Sequence, residues 1–367
     1  MYRRMPIEME SPEETGYDRI TCNLAESSVS DLSYAQLSVS LDHLVLGYQD
    51  HRGKKELRSL IAEQLGGLGG ESVLVTGGAA AALFIVNTCL LGPNDHLIVM
   101  RPNYASNVEV PRAIGCGISY CDLSFEESWK ADLEKIRGAI TASTKVISVT
   151  TPHNPTGMVM GMEQIDGLIH LAEENDILLL VDETYRDTCF ITPYPPVAAR
   201  SSQVVSIASV SKSLGLPGIR IGWLITKNET MLEKFLAAKE MISITNSVLD
   251  EEIAYQVLLD KKQWTEKINR DTMESYEVLK AWLQKEDRLE CILPQGGCVC
   301  FPRFKKEIRV NTKLFYEILM NSHHTMVGPG HWFDMPDTYM RIGFGWPGKL
   351  KLEKGLDNIS LAIDGSC

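Results

Sequence analysis

The stretch Ser209-Val210-Ser211-Lys212-Ser213-Leu214-Gly215-Leu216-Pro217-Gly218-Ile219-Arg220-Ile221-Gly222-Trp223 combines a lysine, hydroxyls, glycines, a proline and an arginine directly after an apolar run. A lysine at the end of a buried strand, beside Arg220, has its ammonium form disfavoured and becomes a better amine nucleophile. The hydroxyls and the planar arginine fork suit a phosphate dianion. A lone Ser-Lys pair would describe no more than a polar loop with a surface lysine. The whole string asks for an amine held next to an anion site.

Further groups of this kind lie elsewhere along the chain. Asp182 closes the run Ile177–Val181, where an aspartate alone would be an ordinary helix N-cap. Thr151-Pro152-His153-Asn154-Pro155-Thr156-Gly157 is a proline-rich turn after another run. A cis Asn154–Pro155 bond is expected there, because X-Pro is the one common place for it, and His153 is read as a turn residue. Thr76-Gly77-Gly78-Ala79-Ala80 joins a run to a helix. Its small residues let the backbone approach a ligand, and a helix N-terminus favours an anion. It lacks G-x-G-x-x-G, so a nicotinamide fingerprint is not supported.

Taken in order, these segments resemble the fold-type I pyridoxal-phosphate enzymes, specifically the class I/II aminotransferase family. The family's Schiff-base string S-x-S-K-x-x-G-x-P-G-x-R-x-G is matched at every fixed position from Ser209 to Gly222. The resemblance implies that Lys212 forms the internal aldimine and that Ser209, Ser211 and Arg220 hold the cofactor phosphate. It implies that Asp182 pairs with the pyridine nitrogen, and that Tyr185 and Asn154 hydrogen-bond the phenolate oxygen. Gly78, Ala79 and Ala80 match its second phosphate site. Tyr104, in Arg101-Pro102-Asn103-Tyr104, matches the ring stacked on the pyridine face. Arg341, in Tyr339-Met340-Arg341-Ile342-Gly343-Phe344-Gly345, matches the arginine that grips the substrate α-carboxylate in a bidentate pair. Tyr48, Gly53, Leu57 and Arg58 match Y-x-x-x-x-G-x-x-x-L-R, whose tyrosine reaches the phosphate of the neighbouring subunit. Glu26 and Ser27 stand where the family often carries glycines at the substrate mouth, and Glu26 is read as substrate-contacting.

The cofactor so implied is pyridoxal 5'-phosphate. The activity implied is transfer of an α-amino group between an amino acid and a 2-keto acid through the Lys212 aldimine, in a homodimer with shared active sites. The alternative is β- or γ-elimination, as in the C–S lyases, or ring closure as in capreomycidine-synthase-like cyclases that act on arginine derivatives. The acidic run Asp250-Glu251-Glu252 would favour a basic substrate side chain if it reached the site, but it is read as an exposed helix N-terminus, where the dipole favours acids. A DNA-binding relative of this fold would need a further domain, for which about 40 residues before the first motif leave no room.

These residues need a frame. The runs Val73–Thr76, His96–Met100, Val146–Thr150, Ile177–Val181 and Val204–Ala208 are β-branched and nearly continuous, as strands buried on both faces should be. Helical stretches such as 79–91 and 164–174 separate them, which predicts a parallel sheet with ligands at its carboxyl edge. The expected fold is α/β: a large pyridoxal-phosphate domain over 42–263, with a mainly parallel seven-stranded sheet between helices. A smaller α+β domain takes residues 1–41 and 264–367 from both chain ends. Helices are expected over 229–241, 251–259 and 264–285, and short strands over 297–301 and 339–343.

Composition fits this frame. The chain has 367 residues, 44% hydrophobic, with 36 Lys+Arg against 48 Asp+Glu and a formal charge of −12. This acidity argues against nucleic acid or an anionic membrane as partner, and no apolar run is long enough for a span. The first residues carry two arginines but no apolar h-region, so a secretory signal is not expected. Nine cysteines, an odd number without zinc spacing, point to reduced thiols in the cytoplasm. Cys298 and Cys300, placed in one strand, are read as core cysteines and not as metal ligands.

Overall fold

The computed structural model describes residues 2–64, 68–191 and 196–367. Seven strands form one sheet, in the spatial order Val73–Thr76, Gly222–Ile225, Val204–Ser209, Leu178–Asp182, Thr144–Thr150, His96–Arg101, Gly117–Asp122. Gly222–Ile225 is antiparallel to both its neighbours, and the other adjacent strands are parallel. The five strands expected from apolar runs lie within two residues of those runs. Two others were not recognised. Gly117–Asp122 is an edge strand with mixed exposure, and Gly222–Ile225 is four residues long inside a glycine-rich string.

Side chains alternate across the sheet, as the two-residue period requires. Leu74, Leu97, Val99, Leu178, Leu180, Val205 and Ile207 pack on one face with Ala82, Leu83 and Val86 of the helix Ala79–Leu90 and with Phe235 of the helix Glu229–Ile242. Val73, Ile98, Met100, Ile147, Val149, Leu179 and Val181 pack on the other with Ile165 and Leu168 of the helix Met162–Glu174. The helix Ala79–Leu90 is apolar all round because it is enclosed between the sheet and neighbouring helices.

Register decides where the chemistry sits. Thr76 and Ser209 both lie opposite Gly222, and Thr150 lies opposite Asp182. The carboxyl ends of the parallel strands and the start of Gly222–Ile225 therefore share one edge. Glycine is required at 222: a Cβ there would lie 2.5 Å from the carbonyl carbon of Gly78 and 2.6 Å from the amide nitrogen of Ala79.

Both chain ends close over that edge. Cys22–Asn23 pairs in parallel with Thr325–Met326, and Met340–Gly343 lies antiparallel between Val299–Cys300 and Gly328–Pro329. The Gly343 amide donates to the carbonyl of Leu24 at 2.7 Å, which draws residues 24–27 alongside Arg341. The helices Lys261–Leu283, Thr312–Asn321 and Lys349–Asp364 back these strands. The strand expected over 297–301 is only Val299–Cys300, so Cys298 lies outside it, with its thiol 3.3 Å from the carbonyl of Ser27. No described helix is long and apolar enough to cross a membrane.

Candidate active site

A cavity of about 510 Å³ opens at the carboxyl edge of the sheet. It is lined by Ala79, Ala80, Tyr104, Asn154, Asp182, Tyr185, Ser209, Ser211, Lys212, Arg220, Arg341 and Glu26. Residues spread over more than three hundred positions of sequence thus meet in one place. Gly78 stands just behind, as the N-cap of the helix Ala79–Leu90. Tyr48 is outside the cavity, its side chain 83% exposed on the surface.

One end of the cavity is built for an oxyanion. The helix Ala79–Leu90 begins with no side chain capping it, so its first amides face the cavity without an internal acceptor. Gly78 has φ +89°, and a Cβ there would meet the Arg220 guanidinium at 2.5 Å. Arg220 itself is left-handed, at φ +47°. That turn directs its guanidinium back to the carbonyl of Pro217 at 2.8 Å and towards that of Gly77. Ser209 and Ser211 sit at the start of the short helix Val210–Ser213 on the same side.

Deeper in, Asp182 is 5% exposed. Its Oδ1 accepts from the amide and hydroxyl of Thr184, at 3.1 and 2.6 Å. Its Oδ2 has only a long bond, 3.3 Å, from Asn107, which leaves capacity for a cationic N–H. Burial pushes the Asp182 carboxyl above its usual range, and a positive partner would reverse that. Asn107 and Asn103 belong to a buried network that also takes in the Thr150 hydroxyl at 2.9 Å. Sequence reasoning missed Asn107; its signal is its place one helical turn after Asn103, facing the same strand end.

Lys212 lines the cavity floor from the helix Val210–Ser213, directly after the strand that ends at Ser209. Burial lowers its pKa, and the Arg341 charge adds to that against the opposing pull of Glu26. The cation that disfavours the ammonium is thus Arg341, not Arg220 as the sequence suggested. The left-handed turn at Arg220 carries that side chain to the anion end instead.

Arg341 is the most exacting residue of the site. It is 3% exposed, and burial pushes its pKa down. Its guanidinium donates to the Asn154 side-chain oxygen at 3.2 Å and the Ala25 carbonyl at 2.6 Å, while its Nε has no partner. Phe333 lies under it, 5.0 Å from the ring centroid. A buried cation held by neutral acceptors with a donor to spare is a receptor for a carboxylate. Because Asn154 accepts through its oxygen, its amide nitrogen is free to donate into the cavity. The Asn154–Pro155 bond is cis, as expected. His153 is buried in the same turn between Thr156 and the Pro102 carbonyl, so it is a turn residue and not a base of the cavity. Tyr185 lines the cavity with its hydroxyl donating to the Ser27 carbonyl at 2.8 Å.

The outer wall holds residues no motif announced. Ile7 and Glu8 come from the short helix Pro6–Met9, Pro12 and Glu13 from the short helix Pro12–Thr15 with Ser11 as its N-cap, and Trp332 from the opposite chain end. The acidic run at 250–252 is elsewhere; it does open a helix, with Asp250 and Glu251 in the first turn, but it is not exposed as expected. Glu251 and Glu252 are buried in the helix Val248–Leu259, where Glu251 accepts from the Lys54 amide and Glu252 pairs with the Lys54 ammonium.

The cavity fits pyridoxal phosphate on independent grounds. It has an uncapped helix start beside an arginine for the phosphate, and a buried carboxylate with spare capacity for a ring N–H. It also has a lysine held towards its neutral form. A family model described as aminotransferase class I and II matches residues 25–352. Capreomycidine synthase of Streptomyces vinaceus is 27% identical over 358 residues, covering 94% of this chain and 90% of that protein. Aspartate aminotransferase of Thermotoga maritima is 27% identical over 323 residues, covering 85% and 82%. The crystal structure of a PLP-dependent aminotransferase from Streptococcus suis 89-1591 superposes with a TM-score of 0.91 at 25% identity, covering 100% of this chain and 99% of that one.

Proposed function

This chain belongs to the aminotransferase class I and II family, whose cofactor is pyridoxal 5'-phosphate, and we propose that it moves an α-amino group between an amino acid and a 2-keto acid. The observation that carries this reading is Arg341: a buried guanidinium with an unpartnered Nε, in the same cavity as Lys212 and Asp182. When bound, the cofactor supplies an aldehyde that condenses with amines and a ring that accepts the electron pair freed at Cα.

The chain's own residues do the rest. Ser209, Ser211, Arg220 and the amides of Ala79 and Ala80 bind the phosphate, and Gly78 keeps its cradle open. Asp182 holds the ring nitrogen protonated, with Asn107 and Thr184 fixing the carboxylate. Tyr104, which lines the cavity, would stack on the ring. Asn154 and Tyr185 would hold the phenolate edge of the ring. Arg341 holds the substrate carboxylate, which fixes the Cα–H bond towards Lys212. The Lys212 amine takes the Cα proton on Nζ and holds it for return, and burial keeps that amine neutral enough to act. The wall of residues 7–13 and 24–27 excludes water from the exchange.

Tyr48 enters through a second copy of the chain. Val45, Leu46, Met241 and Ile244 are exposed apolar side chains on two segments that meet through His51 and Glu240. A dimer covering this face would bring Tyr48 to the partner's phosphate. The large domain over 42–263 and the small domain from both ends are part of the same proposal, as is a cytoplasmic setting.

The test is visible absorption of the cofactor-loaded protein titrated with single amino acids and no keto acid. Stoichiometric conversion to the pyridoxamine form, with a keto acid released, supports transamination. The second reading, elimination or ring closure, is favoured by the likeness to capreomycidine synthase. It is indicated if the starting spectrum returns while substrate is consumed.

A further inference from the structure

Assigning each charge in the cavity leaves a remainder. The cations that line it are Lys212, Arg220 and Arg341, and the carboxylates are Asp182, Glu8, Glu13 and Glu26. On the reading above, Lys212 serves the cofactor aldehyde, Arg220 the phosphate, Asp182 the ring nitrogen and Arg341 the substrate carboxylate. Every cation is then engaged, and Glu8, Glu13 and Glu26 form no ion pair with any of them, although Glu26 is near enough to oppose the lowering of the Lys212 pKa. A substrate with a second carboxylate would meet three like charges and no free cation in this wall.

Glu26 is the best placed of the three. Its Oε1 accepts from the Tyr17 hydroxyl at 2.9 Å. Tyr17 is itself held by stacking on Trp346, at 6.1 Å and 20°, and the Trp346 ring donates to Asp31. The carboxylate is therefore fixed by one oxygen with the other uncommitted. Arg341 binds Asn154 and the Ala25 carbonyl, so Glu26 is not its ion-pair partner. Burial pushes the Glu26 carboxyl up, the Lys212 charge and more weakly that of Arg341 draw it down, and Glu13 pushes it up again, so a cation arriving beside Glu26 offsets its burial and the Glu13 charge. Glu8 and Glu13, more exposed, extend the same sign to the mouth.

We propose that the amino-acid substrate carries a cationic side chain, an amine or a guanidine, received by Glu26 with Glu13 and Glu8 around the entrance. This rests on the cavity being an amino-acid site, and it assigns that site's specificity to the N-terminal wall. A fixed, half-buried carboxylate discriminates against neutral side chains of the same length, because it gains a charge-assisted partner only from a cation.

The test uses the full-length, cofactor-loaded protein and the α-methyl derivatives of lysine, arginine, norleucine and glutamate. These lack the Cα proton and stop before turnover, so the spectral change reports binding alone. The basic derivatives should half-saturate at concentrations about tenfold or more below norleucine's, equivalent to a full pKa-sized increment of binding. Glu26→Gln and, separately, Glu13→Gln should shrink that ratio, each variant's own norleucine response serving as its reference. Added salt should weaken only the basic ligands. Equal or tighter binding of norleucine or glutamate overturns the proposal while leaving the enzyme reading intact, as does a ratio that neither variant alters. If the loaded protein responds to none of the derivatives and to no natural amino acid, the amino-acid reading itself falls, and this one with it.

Discussion

The two halves of the cavity are made in different ways. The inner half comes from strand ends and the turns that leave them: Ser209 to Lys212, Asp182, Asn154 and the start of the helix at Ala79. Each contribution is a short contiguous string locked into sheet register. The outer half is assembled from residues 7–27 and from Trp332 and Arg341, which lie more than 300 positions apart in the sequence yet touch. On the proposed reading the inner half would bind the cofactor and the outer half the substrate, Arg341 its shared α-carboxylate and residues 7–27 the side chain that differs between substrates. Chemistry is written locally and specificity is written by folding.

The contrast is broken most severely at Lys212. Lys212→Ala should lower turnover by about 10⁴-fold or more, the scale of losing a positioned base that also serves as nucleophile, with the fold unchanged. Single-turnover kinetics with the responding amino acid checks it, and retention of a tenth of the activity would remove Lys212 from the mechanism. Arg341 tests the junction of the halves. Arg341→Met should raise KM for the amino acid about 100-fold while changing kcat far less. It should also leave the melting temperature unchanged or higher, because the substitution removes a buried cation without an acidic partner. A variant that unfolds instead would make Arg341 structural.

The same contrast explains what could be read from the chain. The strand ends were legible because buried strands are apolar and β-branched, and because the residues after them act as a unit in sequence. Asn107 was not, since its partner Asp182 is 75 positions away and a helical asparagine has no signature of its own. Glu8 and Glu13 read as ordinary acids of an N-terminal segment until the segment is seen folded across the cavity. Glu251 and Glu252 failed in the opposite direction: a helix-start pattern concealed partners on Lys54, which is distant in sequence. Arg220 turns towards the uncapped helix start beside Gly78 and not towards Lys212, because its left-handed backbone turn cannot be read from its neighbours.

The inner half should also be the acid-sensitive one. His153 is 3% exposed, and burial holds its pKa down at about 4. Its Nε2 donates to the Pro102 carbonyl at 2.9 Å and its Nδ1 accepts from Thr156 at 2.8 Å, an arrangement that suits the neutral ring. The unfolded chain takes up the proton near the usual histidine value and the folded chain only near the lower one. The neutral ring therefore contributes fully above about pH 6.5, and that contribution is lost as pH falls towards 4, by roughly 2–3 kcal/mol. Urea unfolding of the wild type against His153→Gln at pH 7 and pH 4 measures it. The variant should be less stable at pH 7 and should show a shallower loss between the two. An equal loss in both proteins would assign the acid response to other groups.

The smallest effect is expected where the outer half is fastened. Glu10 accepts from the Nε2 of His331 and the indole of Trp332, both at 2.7 Å, and His331 reaches Asp337 through Nδ1 at 2.8 Å. With a carboxylate at each nitrogen the ring is held best when doubly protonated; burial opposes this, but Glu10 and Asp337 raise its pKa on balance. Such a raised value contributes below the ordinary histidine range and is lost as pH climbs through the folded value, the reverse of His153. Both partners are well exposed, so the fastening is worth under about 1 kcal/mol. Glu10→Gln should therefore speed amide exchange in residues 2–20 by no more than about fivefold and raise KM slightly, with kcat and overall stability unchanged. Raising the pH should produce the same change in the wild type and little further change in the variant. A fall in kcat equal to the rise in KM would mean that this wall acts on the reacting atoms as well as on the side chain, and the division between the two halves would have to be drawn elsewhere.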